Sequence, residues 1–146
     1  MPSAFQVPAS IDPLSRLLAE AGVHRDSVIR VTGPHGLAAL IWLCRHGFDQ
    51  VGYLRPEGFP AMAEAEVLLV AGPCDPQALE QLLDHGPRLC DGGLMIVQTP
   101  RPPLGDPNAP HRIFRRHGMV VVRHLPRHER ELWLARRPQG EMEHAA

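Results

Sequence analysis

The sequence predicts an α/β fold in which a mostly parallel sheet of about six strands carries helices on both faces. Short apolar runs alternate with segments that begin at a proline and end at a glycine, the order expected of alternating strands and helices. Two runs, residues 66–72 and 92–99, contain continuous apolar stretches, which are typical of parallel strands covered on both faces. The last two runs are separated by only a few residues and predict a C-terminal hairpin with one antiparallel strand.

Four helices are predicted from the proline and glycine positions, over residues 13–22, 34–47, 76–86 and 110–118. The first has the leucine spacing of a surface helix. The second contains LAALIWLC, which is apolar on every side, so we expect it to be enclosed on most of its faces. Asp75 is predicted to be the N-cap of the third helix.

The predicted strands connect these helices into one domain with right-handed crossovers. They cover residues 27–32, 50–54, 66–72, 92–99, 119–125 and 129–137. The domain is expected to comprise an N-terminal helical extension (1–26), a core (27–138) and a flexible tail (139–146). The proline-rich stretch 99–110 is interpreted as a stiff loop within the core.

The composition excludes several classes of protein and of chemistry. No apolar run approaches the ~20 residues that span a bilayer, and no secretory signal is recognisable, so we expect a cytoplasmic protein with no membrane partner. The three cysteines are odd in number and far apart, as expected of reduced thiols. All basic residues are arginines, which excludes Schiff-base chemistry on a lysine.

Charge is distributed unevenly along the chain. Residues 1–100 carry 6 arginines against 11 acidic residues, whereas residues 101–137 carry 9 arginines against 3. A basic segment can bind nucleic acid, but it is more often a solvated surface, and few aromatic residues accompany this one for base stacking. Nucleic-acid binding through residues 101–137 is therefore the weakest of three functional hypotheses.

The stretch VIRVTGPHGL, residues 28–37, is built as a strand, a glycine-bearing turn and a helix start. Open α/β sheets bind ligands at the carboxyl ends of their strands, where His35 would project. The end of the strand at 66–72 contributes Gly72, Pro73, Cys74 and Asp75 to the same edge. Cys74 is interpreted as a small apolar filler, because no basic residue adjoins it to activate the thiol.

These segments together resemble the class I S-adenosylmethionine-dependent methyltransferases, whose fold is a three-layer Rossmann-like sandwich. VIRVTGPHG is similar to the cofactor-binding strand and turn of that family, and LCDGGLMIV (89–97) to the turn that opens its fifth strand. Residues 113–138 resemble its final helix and closing hairpin. The resemblance covers residues 27–138 and implies S-adenosyl-L-methionine as the cofactor that the fold would take. The cofactor positions that it implies are Thr32, Gly33, His35, Gly36, Arg55, Glu57 and Gly72.

The cofactor motif departs from the family pattern at its charged positions. When the last glycine of D-x-G-x-G-x-G is aligned on Gly36, Arg30 falls on the acid and Pro34 on the second glycine. Arg55 stands near the acid that binds the ribose in the family, and Glu57 could replace that acid only if the loop bends. An arginine offers no acceptor to a ribose diol, and Pro34 offers no N–H to a ligand.

A second departure is the length of one connection. About eleven residues separate the second and third predicted strands, where the family has a helix, a strand and a further helix. We therefore expect that one edge strand and its flanking helix are missing. An exposed sheet edge favours a homo-oligomer or a protein partner that covers it.

The favoured hypothesis is a non-catalytic protein that serves as a binding or regulatory scaffold and needs no cofactor. The alternative is an active methyltransferase with an atypical cofactor pocket. No metal site is expected, because the closest histidines along the chain, His117, His124 and His128, lack helical HxxxH spacing and a cysteine pair.

Overall fold

The structure, a computed structural model, describes residues 12–55, 64–100, 106–126 and 130–139. Within these ranges the chain forms helices α1 (Asp12–Glu20), α2 (Gly36–Arg45), α3 (Pro76–His85) and α4 (Ala109–Arg116). The strands are β1 (Ile29–Thr32), β2 (Val51–Tyr53), β3 (Glu64–Pro73), β4 (Arg88–Pro100), β5 (Val120–Pro126) and β6 (Arg130–Arg136). Helices and strands alternate in the predicted order.

The strands form one six-stranded sheet in the order β2-β1-β3-β4-β6-β5. Strands β2, β1, β3 and β4 are parallel to their neighbours, and β6 is antiparallel to both β4 and β5. The predicted α/β class, the strand number and the single antiparallel strand of the C-terminal hairpin are confirmed.

Both faces of the sheet are buried beneath helices, so the fold has three layers. Along β3, Val67 and Leu69 pack in one apolar cluster with α1 and α2, whereas Leu68 and Val70 pack in another with α3 and α4. Side chains of a strand alternate between faces, so a strand covered on both sides must be apolar at successive positions. This explains the continuous apolar run from which β3 was predicted.

Helix α2 differs from its prediction in two ways. The helix begins at Gly36 and not at Pro34, because the Gly36 N–H donates to the Gly33 carbonyl (3.1 Å) and closes a separate turn first. The expected enclosure of α2 was wrong: Leu43 is fully buried, but Leu37 is 58% and Ile41 is 53% exposed. Strand β2 is the outermost strand on this side of the sheet, and α2 packs chiefly against β1, β2 and β3.

The structure also bears on two predictions from the sequence, one about membrane-spanning segments and one about the cysteines. None of the helices in the described ranges is long and apolar enough to cross a membrane. The cysteines Cys44, Cys74 and Cys90 are all free, as expected of reduced thiols.

Candidate functional site

An open cleft of about 970 Å³ lies at the carboxyl ends of β1 and β3, beside α3. Strand β1 stands between β2 and β3, and the helices that follow β1 and β3 cover opposite faces of the sheet. Such a switch point leaves a crevice between the two strand ends, and α/β proteins bind ligands there. The cleft is therefore the candidate site, and Thr32 and Gly33 of the predicted set line it.

The turn between β1 and α2 is fastened to the end of β3 by its backbone. The His35 N–H donates to the Ala71 carbonyl over 2.9 Å. Gly33 has a φ of +102°, and a Cβ at that position would lie 2.4 Å from the Ala71 oxygen. Only glycine fits this approach, so Gly33 is required by the contact between two segments of the chain itself.

At the other two glycines of the predicted site, atoms of the protein also occupy the position that a Cβ would take. A Cβ on Gly72, whose φ is +103°, would lie 2.8 Å from Cγ of Pro34. A Cβ on Gly36, which is buried, would lie 2.6 Å from Cε1 of Tyr53. At these two glycines the Cβ side of the backbone therefore faces a proline ring and a tyrosine ring of the chain itself.

Arg30 is directed away from the cleft. Its Nη1 donates to the carbonyl oxygens of Ile29 (3.1 Å) and Gln50 (3.4 Å), and its side chain lies across Gly52. Gln50 immediately precedes β2, so these contacts hold the guanidinium toward the amino end of that strand. Arg30 therefore replaces the family's acid in sequence and contributes no charge to the wall of the cleft.

Two further predicted site residues, His35 and Arg55, do not line the cleft. His35 is exposed and occupies the N-cap position of α2 without a side-chain capping bond, with its ring beside Gly72. Arg55 is exposed and does not line the cleft. Glu57 lies outside the described residues.

The walls of the cleft that the structure describes mix apolar and polar side chains and are largely uncharged. Thr32 is 3% exposed, and its hydroxyl makes no hydrogen bond to any described residue. Three exposed side chains spaced four residues apart along α3 form the opposite wall: Gln77, Gln81 and His85. A ligand in this cleft would meet hydroxyl, amide and imidazole groups.

Asp75 and Cys74 have structural roles at the end of β3. The Asp75 carboxylate accepts a hydrogen bond from the Ala78 N–H (2.8 Å), which confirms the predicted N-cap of α3. Burial, helped by the neighbouring Asp75 charge, raises the pKa of Cys74 to about 11. The thiol is therefore neutral at physiological pH, which excludes a thiolate nucleophile at this position.

The positions of Tyr53 and of the polar stripe of α3 (Gln77, Gln81 and His85) in the cleft wall were not predicted from the sequence. The spacing of Gln77, Gln81 and His85 was readable as one helix face, but nothing in the sequence showed that this face borders the β1 turn. No sequence motif indicated Tyr53, because its ring is brought next to Gly36 by the pairing of β1 with β2.

The sequence has no match among protein-family models and no detectable relative among curated proteins. Solved structures are similar in fold. Magnesium protoporphyrin IX methyltransferase from Synechocystis with bound S-adenosylmethionine superposes with a TM-score of 0.59 at 12% identity, covering 88% of this chain and 78% of that one. Precorrin-6y C5,15-methyltransferase from Geobacter metallireducens gives 0.59 at 10% identity, covering 92% of both chains.

A methyltransferase from Pyrococcus furiosus is similar over 86% of this chain and 83% of its own, with a TM-score of 0.51 and 15% identity. At these identities the similarity concerns the fold. The strand order, the two buried faces and the antiparallel β6 agree with it. The chain has the Rossmann-like fold of the class I S-adenosylmethionine-dependent methyltransferases.

Proposed function

We propose that this protein is a non-catalytic member of the methyltransferase fold that works as a binding scaffold. One observation carries the proposal: atoms of the chain itself occupy the position that a Cβ would take on each of Gly33, Gly36 and Gly72. The atoms that fill it belong to Ala71, Tyr53 and Pro34. A cofactor held as the fold usually holds it would have to displace them.

The charges around the cleft support the same proposal. S-adenosylmethionine carries a sulfonium cation and a ribose diol, which favour carboxylate partners. In the described cleft wall the carboxylate belongs to Asp75, which already caps α3. Arg55 follows β2, where the family resemblance implies an acid.

We place the contact surface of the scaffold on the outward face of α2. Leu37, Ile41 and Cys44 are exposed there at helical spacing and form an uncharged stripe next to the edge strand β2. We assign a second copy of the chain to this surface. A two-fold axis would bring two identical uncharged stripes together, so neither copy would need a counter-charge.

An active methyltransferase is the alternative function, and the cleft itself favours it. The cleft lies at the switch point of the sheet, and the Thr32 hydroxyl and the α3 amides point to a polar ligand. This alternative requires the cofactor to bind without using the Cβ side of Gly33, Gly36 and Gly72, which the chain itself occupies.

Nucleic-acid binding by the basic segment receives less support. Arg112 pairs with Asp106, Arg116 with Glu80, and Arg123 with Glu20. Arg136 donates to the carbonyl oxygens of Gly92 and Ala21. Guanidinium groups engaged in this way are less available to phosphates than the sequence count suggests.

Calorimetric titration with S-adenosylmethionine and with S-adenosylhomocysteine tests the proposal. We expect no saturable heat with either ligand at ~1 mM, while a methyltransferase of known affinity serves as the positive control. Saturation in the micromolar range would favour the active enzyme.

A further inference from the structure

A group of metal-ligand side chains lies on the face of α3 that borders α4, next to the polar stripe that lines the cleft. Glu80 and Asp84 are one helical turn apart and share a face of α3. His117, at the C-cap of α4, reaches the same point. One carboxylate oxygen of each acid and a ring nitrogen of His117 all lie within 4.8 Å of one another.

His117 makes a long hydrogen bond to Glu80, and the distances in this group also match the spacing of two ligands on one ion. His117 Nε2 is 3.4 Å from Glu80 Oε2 and 3.5 Å from Asp84 Oδ1. Hydrogen bonds between nitrogen and oxygen are usually about 2.7–3.2 Å long. Two ligands of a tetrahedral zinc ion, each ~2.0–2.1 Å from the metal, stand about 3.3–3.4 Å apart.

We propose that Glu80, Asp84 and His117 bind a divalent transition-metal ion, Zn²⁺, with water as the fourth ligand. Imidazole and carboxylate are both ordinary zinc ligands, and three protein ligands with one open position make a familiar zinc arrangement. The site joins α3 to α4 and is independent of the proposed function of the cleft.

The site has an open approach from solvent. Glu80 and Asp84 line a groove of about 320 Å³ between α3 and Ile113 of α4. The His117 side chain is only 19% exposed, whereas the Glu80 and Asp84 side chains are 37% and 48% exposed. The imidazole is thus held in place while the two carboxylates remain free to adjust around an ion.

Arg116 already contacts one of the proposed ligands. Its Nη2 donates to both oxygens of Glu80, over 2.7 and 2.8 Å. A carboxylate has about four acceptor positions, so Glu80 can keep Arg116 as an outer partner while one oxygen binds metal. The Arg116 side chain is 60% exposed and can also turn into solvent to reduce repulsion of the cation.

The sequence predicted no metal site, because that prediction rested on histidines that are close together along the chain. His117 meets its two carboxylates across 33 and 37 residues, through the packing of α3 against α4. Only the fold brings the three side chains together.

The test uses the untagged full chain, stripped of metal with a chelator. Zn²⁺ binding is measured by calorimetry, and Co²⁺ binding by the visible absorption of tetrahedral cobalt. The variants are His117→Ala and Asp84→Asn. His111→Ala is the matched control, because His111 is an exposed histidine of the same helix.

We expect one Zn²⁺ per chain, at least about tenfold weaker binding in His117→Ala and Asp84→Asn, and unchanged binding in His111→Ala. Co²⁺ should give a tetrahedral spectrum that His117→Ala abolishes. Circular dichroism of each metal-free variant verifies folding, and the isosteric Asp84→Asn decides the matter if His117→Ala does not fold. Absence of stoichiometric binding, or equal weakening by His111→Ala, would overturn the proposal.

Discussion

The ring of Pro34 lies against Gly72, so close that a Cβ at position 72 would come within 2.8 Å of Pro34 Cγ. This contact joins the turn after β1 to the end of β3, beside the hydrogen bond from His35 to Ala71. The proline ring takes the position that a side chain on residue 72 would need. The glycine-bearing turn is consequently part of the packed structure.

Replacing the packed glycines should destabilise the fold. We expect Gly33→Ala and Gly72→Ala each to lower the free energy of unfolding by about 2–4 kcal/mol, since each adds a steric clash to a left-handed backbone. Gly118→Ala is the control: its φ is +76°, but no atom lies within 4 Å of the added Cβ, so it should lose only ~1 kcal/mol. Urea unfolding measures all three, and equal losses would contradict the packing account.

Cys74 should make the protein less stable in alkali. Its pKa rises from the usual 9.0 to about 11 on folding, so the folded chain holds this proton more tightly than the unfolded chain. The stabilisation is complete below pH 9 and is lost as the pH rises toward 11, on the order of 2 kcal/mol in all.

Unfolding measured across this pH range checks the effect of Cys74. Cys74→Ala should flatten the decline between pH 9 and 11, whereas Cys44→Ala, at an exposed thiol, should leave it unchanged. An identical decline in Cys74→Ala and the native protein would show that another group causes it.

Asp75 should behave as a helix cap. Asp75→Ala removes the acceptor of the Ala78 N–H and is expected to lower the free energy of unfolding by about 1 kcal/mol. Asp75→Asn keeps an acceptor oxygen at the same place and should retain most of the stability. If thermal or urea unfolding finds both variants as stable as the native protein, the capping role is refuted.

The outward face of α2 should mediate self-association. Leu37→Glu or Ile41→Glu would place unpaired carboxylates in the contact and weaken the dimer by about a hundredfold or more. Val120→Glu, at an exposed apolar residue of the opposite edge strand, is the control and should remain dimeric. Light scattering on a size-exclusion column measures the mass, and a monomeric native protein would refute the self-association.

Patterns local in sequence predicted most of the fold. Continuous apolar runs identified β3 and β4, because a strand buried on both faces has no polar side. Proline and glycine marked the ends of α3, and Asp75 identified its cap. The short connection after β2 agreed with a six-stranded sheet in which β2 is an edge.

The site was less predictable, because it depends on contacts between distant segments. The direction of the Arg30 side chain is set by Gln50, just before β2, and by Gly52 within β2, which the alignment of a motif cannot show. Helix α2 is strongly apolar, and its sequence alone predicts burial on every face. Ile41 is nevertheless exposed, because α2 lies over the edge of the sheet. An apolar sequence pattern shows which residues can be buried. Which of them are buried depends on the elements that pack against them in the fold.

The most direct test of the central claim is a titration of the ¹⁵N-labelled protein with S-adenosylhomocysteine up to ~1 mM, followed by its amide spectrum. We expect the amide signals of Gly33, Gly36 and Gly72 to stay where they are, because atoms of the chain occupy the position that a Cβ would take on each glycine. Saturable shifts of these three signals with a micromolar dissociation constant would contradict it and establish a working cofactor site.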